Sequence, residues 1–112
     1  MSKKIDDVYL LDMQAYAEKI RALTSRISRS EFEGDEEHQA AIAHWLQTVG
    51  EAATRLSPGF RENHPAIDWR KIIGMRNVIV HRYAAVDLDL VWAAATEGVE
   101  TLLGHLLAIR SR

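Results

Sequence analysis

The sequence predicts an all-α fold, an antiparallel bundle of four helices with a short extra helix or helical turn. Three observations predict it. Apolar residues recur in steps of three and four along four separate stretches. No stretch shows period-two alternation over a useful length, so strands are not expected. The connections between the stretches are short to medium, which suits neighbouring antiparallel helices.

The first stretch carries Ile5, Tyr9, Met13, Tyr16, Ile20, Leu23 and Ile27 on one helical face, with charged side chains opposite. It predicts a long first helix over 5–27. Residues 28–37 (SRSEFEGDEE) are polar, contain Gly34 and break the pattern. They are expected to form a loop with Phe32 tucked back onto the core. Asp35 is a plausible N-cap, and Glu36 and Glu37 suit a helix N-terminus.

The second helix follows Ile42, Trp45, Leu46, Val49, Ala52, Ala53 and Leu56 and stops at Ser57-Pro58-Gly59. Gly50 lies inside it at a cost of roughly 1 kcal/mol relative to Ala. Close approach by a neighbouring helix is one reason to tolerate that cost. Residues 60–67 (FRENHPAI) are expected to connect.

Asp68 caps a third helix that begins near Trp69. Its expected stripe is Trp69, Ile73, Arg76, Val80 and Tyr83, widened by Ile72, Met75 and Ile79. Gly74 again suggests tight packing. The helix is expected to fray between His81 and Ala84. Asp87 or Asp89 then caps a fourth helix with the stripe Leu88, Val91, Ala95, Val99, Leu102, Leu106 and Ile109. Leu103 and Leu107 widen that stripe, and Gly98 and Gly104 lie inside the helix. So wide an apolar arc on a small domain suggests that part of it meets another subunit.

At 112 residues, the expectation is a single domain over 1–112. The apolar content of 47% and charged content of 27% fit a soluble globular protein. A net charge of −2 gives no overall basic field for nucleic acid. Between Arg55 and Tyr83, however, six Lys/Arg face two acids. That local excess fits a phosphate-bearing partner or a solvated set of surface charges.

The chain has no cysteine, which excludes disulfides, thiolate zinc sites and a Cys nucleophile. His38, His44, His64 and His105 lack metal-ligand spacing, and there is no Gly-rich phosphate loop or Gly-x-Ser-x-Gly elbow. Neither a metal nor another cofactor is expected. Met1-Ser2-Lys3-Lys4-Ile5 leads into an amphipathic pattern rather than an apolar signal core. No run approaches the roughly 20 apolar residues that span a bilayer. The cytoplasm is the expected location.

The stretch Arg76-Asn77-Val78-Ile79-Val80-His81-Arg82-Tyr83 breaks the apolar pattern with groups that can do chemistry. An Arg on an apolar face needs a partner, because an unpaired buried charge is costly. Pattern alone leaves two readings: an ion pair with Glu51 or another helix acid, or a functional cation. His81 is a structural residue or a general acid–base, since imidazole titrates near neutrality. Tyr83 reads as a core aromatic, and Asn77 as a phosphate-orienting or backbone-bonding group. Along a helix, Arg76 and His81 lie about 140° apart at ~100° per residue. They can share one cleft only if it wraps the helix end or if a second copy supplies part of it.

Arg76-Asn77-x3-His81-x-Tyr83 matches the R-x4-H-x-Y motif of HEPN-domain proteins. Gly50-Glu51-Ala52, Leu56-Ser57, Asp68-Trp69, Ile73-Gly74-Met75, and Val86-Asp87 ahead of Val91-Trp92 make the whole chain similar to the HepT-like branch, also known as DUF86. The resemblance implies a HEPN-type bundle and a homodimer whose two motifs face each other in a composite active site. It implies metal-independent RNA cleavage, with Arg76 and His81 as the catalytic pair and Asn77 in support. It further implies a toxin of a type VII toxin–antitoxin module. The partner would be an MntA-like minimal nucleotidyltransferase that silences the toxin by transferring AMP to Tyr83, in a complex that could exceed a dimer. The competing expectation is a non-catalytic helical dimer that binds and assists such a nucleotidyltransferase.

Overall fold

Every long helix of the chain starts or stops on a side chain that takes over its unpaired backbone groups. The structure, a computed structural model, describes residues 3–110. Met1 and Ser2, read above as the lead-in to the first helix, lie outside the described residues, as do Ser111 and Arg112. Helix α1 spans Lys3–Thr24, α2 Arg29–Glu33, α3 Glu36–Arg55, α4 Pro58–Asn63 and α5 Trp69–Arg82. A 3-10 turn, Tyr83–Ala85, follows α5. The C-terminal helix is α6 (Leu88–Ala93), a π turn (Ala94–Gly98) and α7 (Val99–Arg110) in succession. No strand occurs among the described residues. The fold is the expected all-α bundle, with two short extra helices, α2 and α4.

Helix α1 ends three residues before Ile27. Thr24 Oγ1 donates to the Arg21 carbonyl, and Ser25 Oγ and Arg26 Nε donate to the Ala22 carbonyl. These side chains take up the last carbonyls of the helix and favour its end there. Ile27 still packs against the core from outside the helix.

The buried face of α1 is also turned from the expected one. It consists of Asp6, Leu10, Met13, Ala17, Ile20 and Leu23, while Ile5 is exposed. Asp6 belongs on the buried face because it accepts Ser57 N–H at 2.9 Å and Ser57 O–H at 2.8 Å. Ser57 Oγ in turn accepts Phe60 N–H at 3.2 Å and caps α4. The start of α1 is therefore tied to the junction after α3, which sets these two helices antiparallel.

Residues 28–37 are not all loop. Ser28 Oγ accepts Glu31 N–H at 3.1 Å, and a Glu31 carboxylate oxygen accepts Ser28 N–H at 2.9 Å. This reciprocal capping box starts α2. It brings Phe32 into the core against Trp92, with ring centroids 5.1 Å apart. Asp35 caps α3, its Oδ1 accepting Glu37 and His38 N–H.

Residues 60–67 likewise contain most of α4, begun by the Ser57 cap and Pro58 in the first turn. Trp69 Nε1 donates to the His64 carbonyl at 3.0 Å and fixes the entry to α5. Asp68 Oδ1 accepts Lys71 N–H at 3.0 Å. Of the two candidates for the last cap, it is Asp87 whose Oδ1 accepts Asp89 N–H at 2.8 Å.

The core lies between α1, α3 and the C-terminal helix. Arg110 donates to Gln14, and Arg21 lies 3.9 Å from Glu100, so α7 runs antiparallel to α1. The expected stripe Val91, Ala95, Val99, Leu102 and Leu106 is buried. Its two successive four-residue steps would drift around a regular helix. The π turn, with its wider winding, keeps them on one face.

Helix α5 packs chiefly on α3 and occupies the edge of the bundle. Its buried face centres on Ile79, with Ile72, Met75 and Arg76 partly buried. Val80 is 40% exposed and Tyr83 is 49% exposed, so the expected stripe is rotated. One neighbouring helix covers only a narrow arc, and residues at the margin of a wide apolar face stay in solvent.

The two helical glycines singled out at α3 and α5 behave differently. A Cβ placed on Gly50 would overlap Arg76 Cβ and sit 2.9 Å from Arg76 Cγ. The α3–α5 crossing therefore depends on Gly50. A Cβ on Gly74 meets nothing within 4 Å, so the tight packing expected there does not occur.

Gly50→Ala should destabilise the protein by about 1–3 kcal/mol, the usual range for overpacking. Gly74→Ala should be neutral or stabilising by up to about 1 kcal/mol, as the helix propensity of Ala dictates. Chemical denaturation of both variants checks the contrast.

The Ser28 N–H, and then the Ser28 hydroxyl, hold the Glu31 carboxyl below its ordinary value. A group lowered on folding contributes stability above its unfolded pKa and loses it as pH falls through the folded value. Ser28→Ala removes the hydroxyl and keeps the N–H, so the Glu31 titration, followed by NMR, should move part of the way toward the normal glutamate range. Its melting temperature should fall below that of the parent at neutral pH, with the difference shrinking in acid.

Candidate functional site

Helix α5 is helical without interruption from Trp69 to Arg82, so Arg76 and His81 keep the angular separation of about 140° set by the helix. Arg76 faces α3, and His81 is exposed. Asn77 lies between them in angle, about 40° from His81 by the same rotation per residue.

Two neighbours hold the Arg76 guanidinium. Glu51 Oε1, on α3, accepts Arg76 Nε–H at 2.8 Å and also an Nη2–H. Asn77 Oδ1 accepts Arg76 Nη1–H at 2.8 Å. The pairing draws one edge of the guanidinium toward α3 and the other around the helix toward Asn77. The Arg76 and Glu51 side chains are 25% and 34% exposed, so the pair is neither fully desolvated nor freely hydrated. An arginine has five N–H donors. Three are engaged here, which leaves two for an incoming anion.

The ion pair with Glu51 is thus present, and it does not exhaust Arg76. In the sequence Glu51 stands as a candidate partner for Arg76 and within the Gly50-Glu51-Ala52 string, not among the site residues. The available signal was its place directly after Gly50, the residue on which the helix crossing depends.

Tyr83 is not the core aromatic that the stripe predicted. It begins the 3-10 turn after α5, half exposed. Asn77, His81 and Arg82 are exposed as well. Arg70 and Lys71 add exposed positive charge near the start of α5. The local basic excess therefore has solvent-facing members along the whole helix. Among the described residues, no group of three or more His, Asp or Glu is placed to hold a metal ion.

A groove of about 440 Å³ runs along the other flank of α5. Lys71, Ile72 and Met75 form one wall, Leu46 and Val49 the floor, and α6, the π turn and α7 the far wall. It includes none of Arg76, Asn77, His81 and Tyr83. The motif occupies an open face of α5 instead of an enclosed pocket.

The chain is an all-α bundle whose edge helix carries Arg76 and His81, with Tyr83 just beyond its end and the Arg anchored to a neighbouring helix. Comparison with known proteins narrows the class. The family described as "Ribonuclease HepT-like" matches residues 13–109, and the chain belongs to this family. A Thermococcus cleftensis protein named "Probable ribonuclease HepT" is 31% identical over 102 residues, covering 91% of this chain and 93% of that one. A Methanocaldococcus jannaschii protein named "Putative RNase MJ1380" is 30% identical over 99 residues, covering 88% and 91%. A Caldanaerobacter subterraneus protein, "Putative RNase TTE0752", is 32% identical over 76 residues, covering 68% of each chain. No solved structure matches the chain. No helix among the described residues is long and apolar enough to cross a membrane.

Proposed function

We propose that the protein is an endoribonuclease that cleaves RNA without metal and serves as the toxin of a type VII toxin–antitoxin module. The observation that carries this reading is the Arg76 guanidinium. It is oriented by Glu51 and Asn77, keeps N–H donors for an anion, and shares its helix with an exposed His81. Membership of the HepT-like ribonuclease family supports it, as do the printed names of its relatives.

The chemistry suits these groups. The 2′-oxygen of a ribose attacks the adjacent phosphorus as the bond to the 5′-oxygen breaks. The 2′-hydroxyl loses a proton, and the leaving 5′-oxygen gains one. The products are a 2′,3′-cyclic phosphate and a 5′-hydroxyl. His81 handles one of the two protons as general acid or base. Arg76 donates to the phosphoryl oxygens as negative charge accumulates on them, and Asn77 keeps it aimed.

Because Arg76 and His81 diverge around α5, the reading places them in a composite active site of a homodimer. In that site Arg76 of one copy and His81 of the other can meet one phosphate. The exposed Val78, Val80 and Leu107 would have a place in such an assembly.

Control is assigned to an MntA-like nucleotidyltransferase antitoxin. The Tyr83 hydroxyl attacks the α-phosphorus of ATP, pyrophosphate leaves, and the phenolic proton is released. Exposure of Tyr83 supports its access to such an enzyme. The added phosphodiester would carry negative charge next to the RNA-binding face and repel substrate phosphate.

Purified protein should cleave single-stranded RNA with and without EDTA, leaving cyclic phosphate ends. Arg76→Ala and His81→Ala should each lower turnover by at least about 10²-fold, in line with general acid–base and electrostatic contributions, while circular dichroism remains native. Unmodified wild-type protein that leaves RNA intact, with and without divalent metal, would sink the ribonuclease reading. His81→Ala without effect would instead favour the non-catalytic dimer.

Intact-mass measurement after incubation with the nucleotidyltransferase and ATP tests the switch. Gains in AMP-sized steps, absent in Tyr83→Phe and accompanied by loss of cleavage, are expected. No gain with a demonstrably active nucleotidyltransferase would count against the assignment.

A further inference from the structure

We infer that Glu51 is a positioning residue that makes Arg76 an aimed, charge-compensated donor to phosphate, acting on turnover more than on RNA binding. The inference rests on the ribonuclease reading above. Helix α3 approaches α5 at Gly50 so closely that a Cβ there would force the helices to shift. The next residue along α3 is Glu51, whose Oε1 accepts both Nε–H and Nη2–H of Arg76. Gly50 thus sets the distance between the helices, and Glu51 sets the rotation of the guanidinium.

The geometry divides the guanidinium. The Nε–Nη2 edge belongs to Glu51, and one Nη1–H belongs to Asn77. The remaining donors are one N–H on each Nη nitrogen. The remaining Nη2 hydrogen lies on the end-on side of the guanidinium, away from Glu51, where it can meet a phosphoryl oxygen. Without Glu51, Arg76 could turn its side-on edge to phosphate, or follow a bound strand as an untethered cation.

The charges point the same way. Arg76 and Glu51 together are neutral, and both are partly solvent-exposed. A phosphodiester that approaches Arg76 also approaches the Glu51 carboxylate. Attraction in the bound ground state is therefore offset. The directed N–H bonds matter most when charge builds on the phosphoryl oxygens in the transition state. An interaction stronger in the transition state than in the ground state raises turnover instead of tightening binding.

The test compares wild type, Glu51→Gln and Glu51→Ala in single-stranded RNA cleavage, each also in the Arg76→Ala background. Glu51→Gln keeps an acceptor oxygen and the side-chain shape but removes the negative charge. Its kcat should fall about tenfold while KM stays level or drops. Its binding to a non-cleavable 2′-O-methyl oligonucleotide should tighten and become more salt-dependent, because one more positive charge is uncompensated. Glu51→Ala should lose about 10²-fold in kcat, the scale of a misdirected catalytic donor. In the Arg76→Ala background either change should shift kcat by less than about twofold, as expected of residues that act as one unit.

A raised KM with unchanged kcat in Glu51→Gln overturns the inference. So does a loss in Glu51→Ala that is equally large with and without Arg76, which would mark a general structural role. If wild type cleaves no RNA, the ribonuclease reading falls separately. The positioning role is then read from the Arg76 Nε–H resonance. Protection from exchange in wild type and its loss in Glu51→Ala support it, and equal exchange in both overturns it.

Discussion

The approach of α3 to α5 at Gly50 is the constraint on which the placement of the motif depends. Helix α5 lies at the edge of the bundle and packs chiefly on α3. Its register is set where a missing side chain on one helix receives the Cβ and Cγ of Arg76 on the other. The Glu51–Arg76 pair then locks that register with charge-assisted hydrogen bonds. A fully exposed pair contributes little, because solvent screens it and long side chains lose freedom on pairing. A fully buried pair incurs a large desolvation cost. At 25% and 34% exposure this pair lies between those limits, which suits a device for orientation better than one for raw stability.

The rest of the bundle makes such an edge helix tolerable. Helices α1 and α3 and the C-terminal helix bury the main core, including Met13, Ile20, Phe32, Ile42 and Leu106. Asp6 joins the start of α1 to the α3–α4 junction through both atoms of Ser57 that can donate. Stability therefore resides in elements that do not carry the motif. The motif helix can remain largely solvated on its outer side, where a polymeric substrate could reach it.

Much of this arrangement was legible from the chain alone. Periodicity located the long helices, and Asp35 and Asp68 marked two of their starts, because a short acceptor before an apolar run has few other uses; the last start stayed open between Asp87 and Asp89, and Asp87 is the cap. Other features were less legible for definite physical reasons. Helix α2 was hidden by its polarity, although Ser28 and Glu31 form a capping box that local spacing could have exposed. The stripe of α1 was displaced because a buried Asp, satisfied by Ser57 some fifty residues away, cannot be recognised by hydropathy. The stripe of α5 was rotated because apolar spacing does not show how many neighbours a helix will have. Gly50 and Gly74 look alike in sequence, yet only Gly50 lies at a crossing, and that is a property of three-dimensional placement.

The same distinction bears on the motif itself. A spacing of five residues fixes an angle around α5, and that angle turns Arg76 toward α3 and His81 toward solvent. The protein cannot change this without breaking the helix, which is continuous through both residues. The two groups can act on one phosphate only if the substrate bends around α5 or if another surface presents the complementary group. Val78 and Val80 are exposed around the same end of α5. A surface that met these side chains would stand beside His81. A second copy of this chain is the economical candidate for that surface, since each copy would offer an anchored Arg76 and an exposed His81 to the other. In that proposed arrangement the divergence of the two residues around α5 would be the reason for assembly, and Glu51 would keep the arginine each copy offers already pointed.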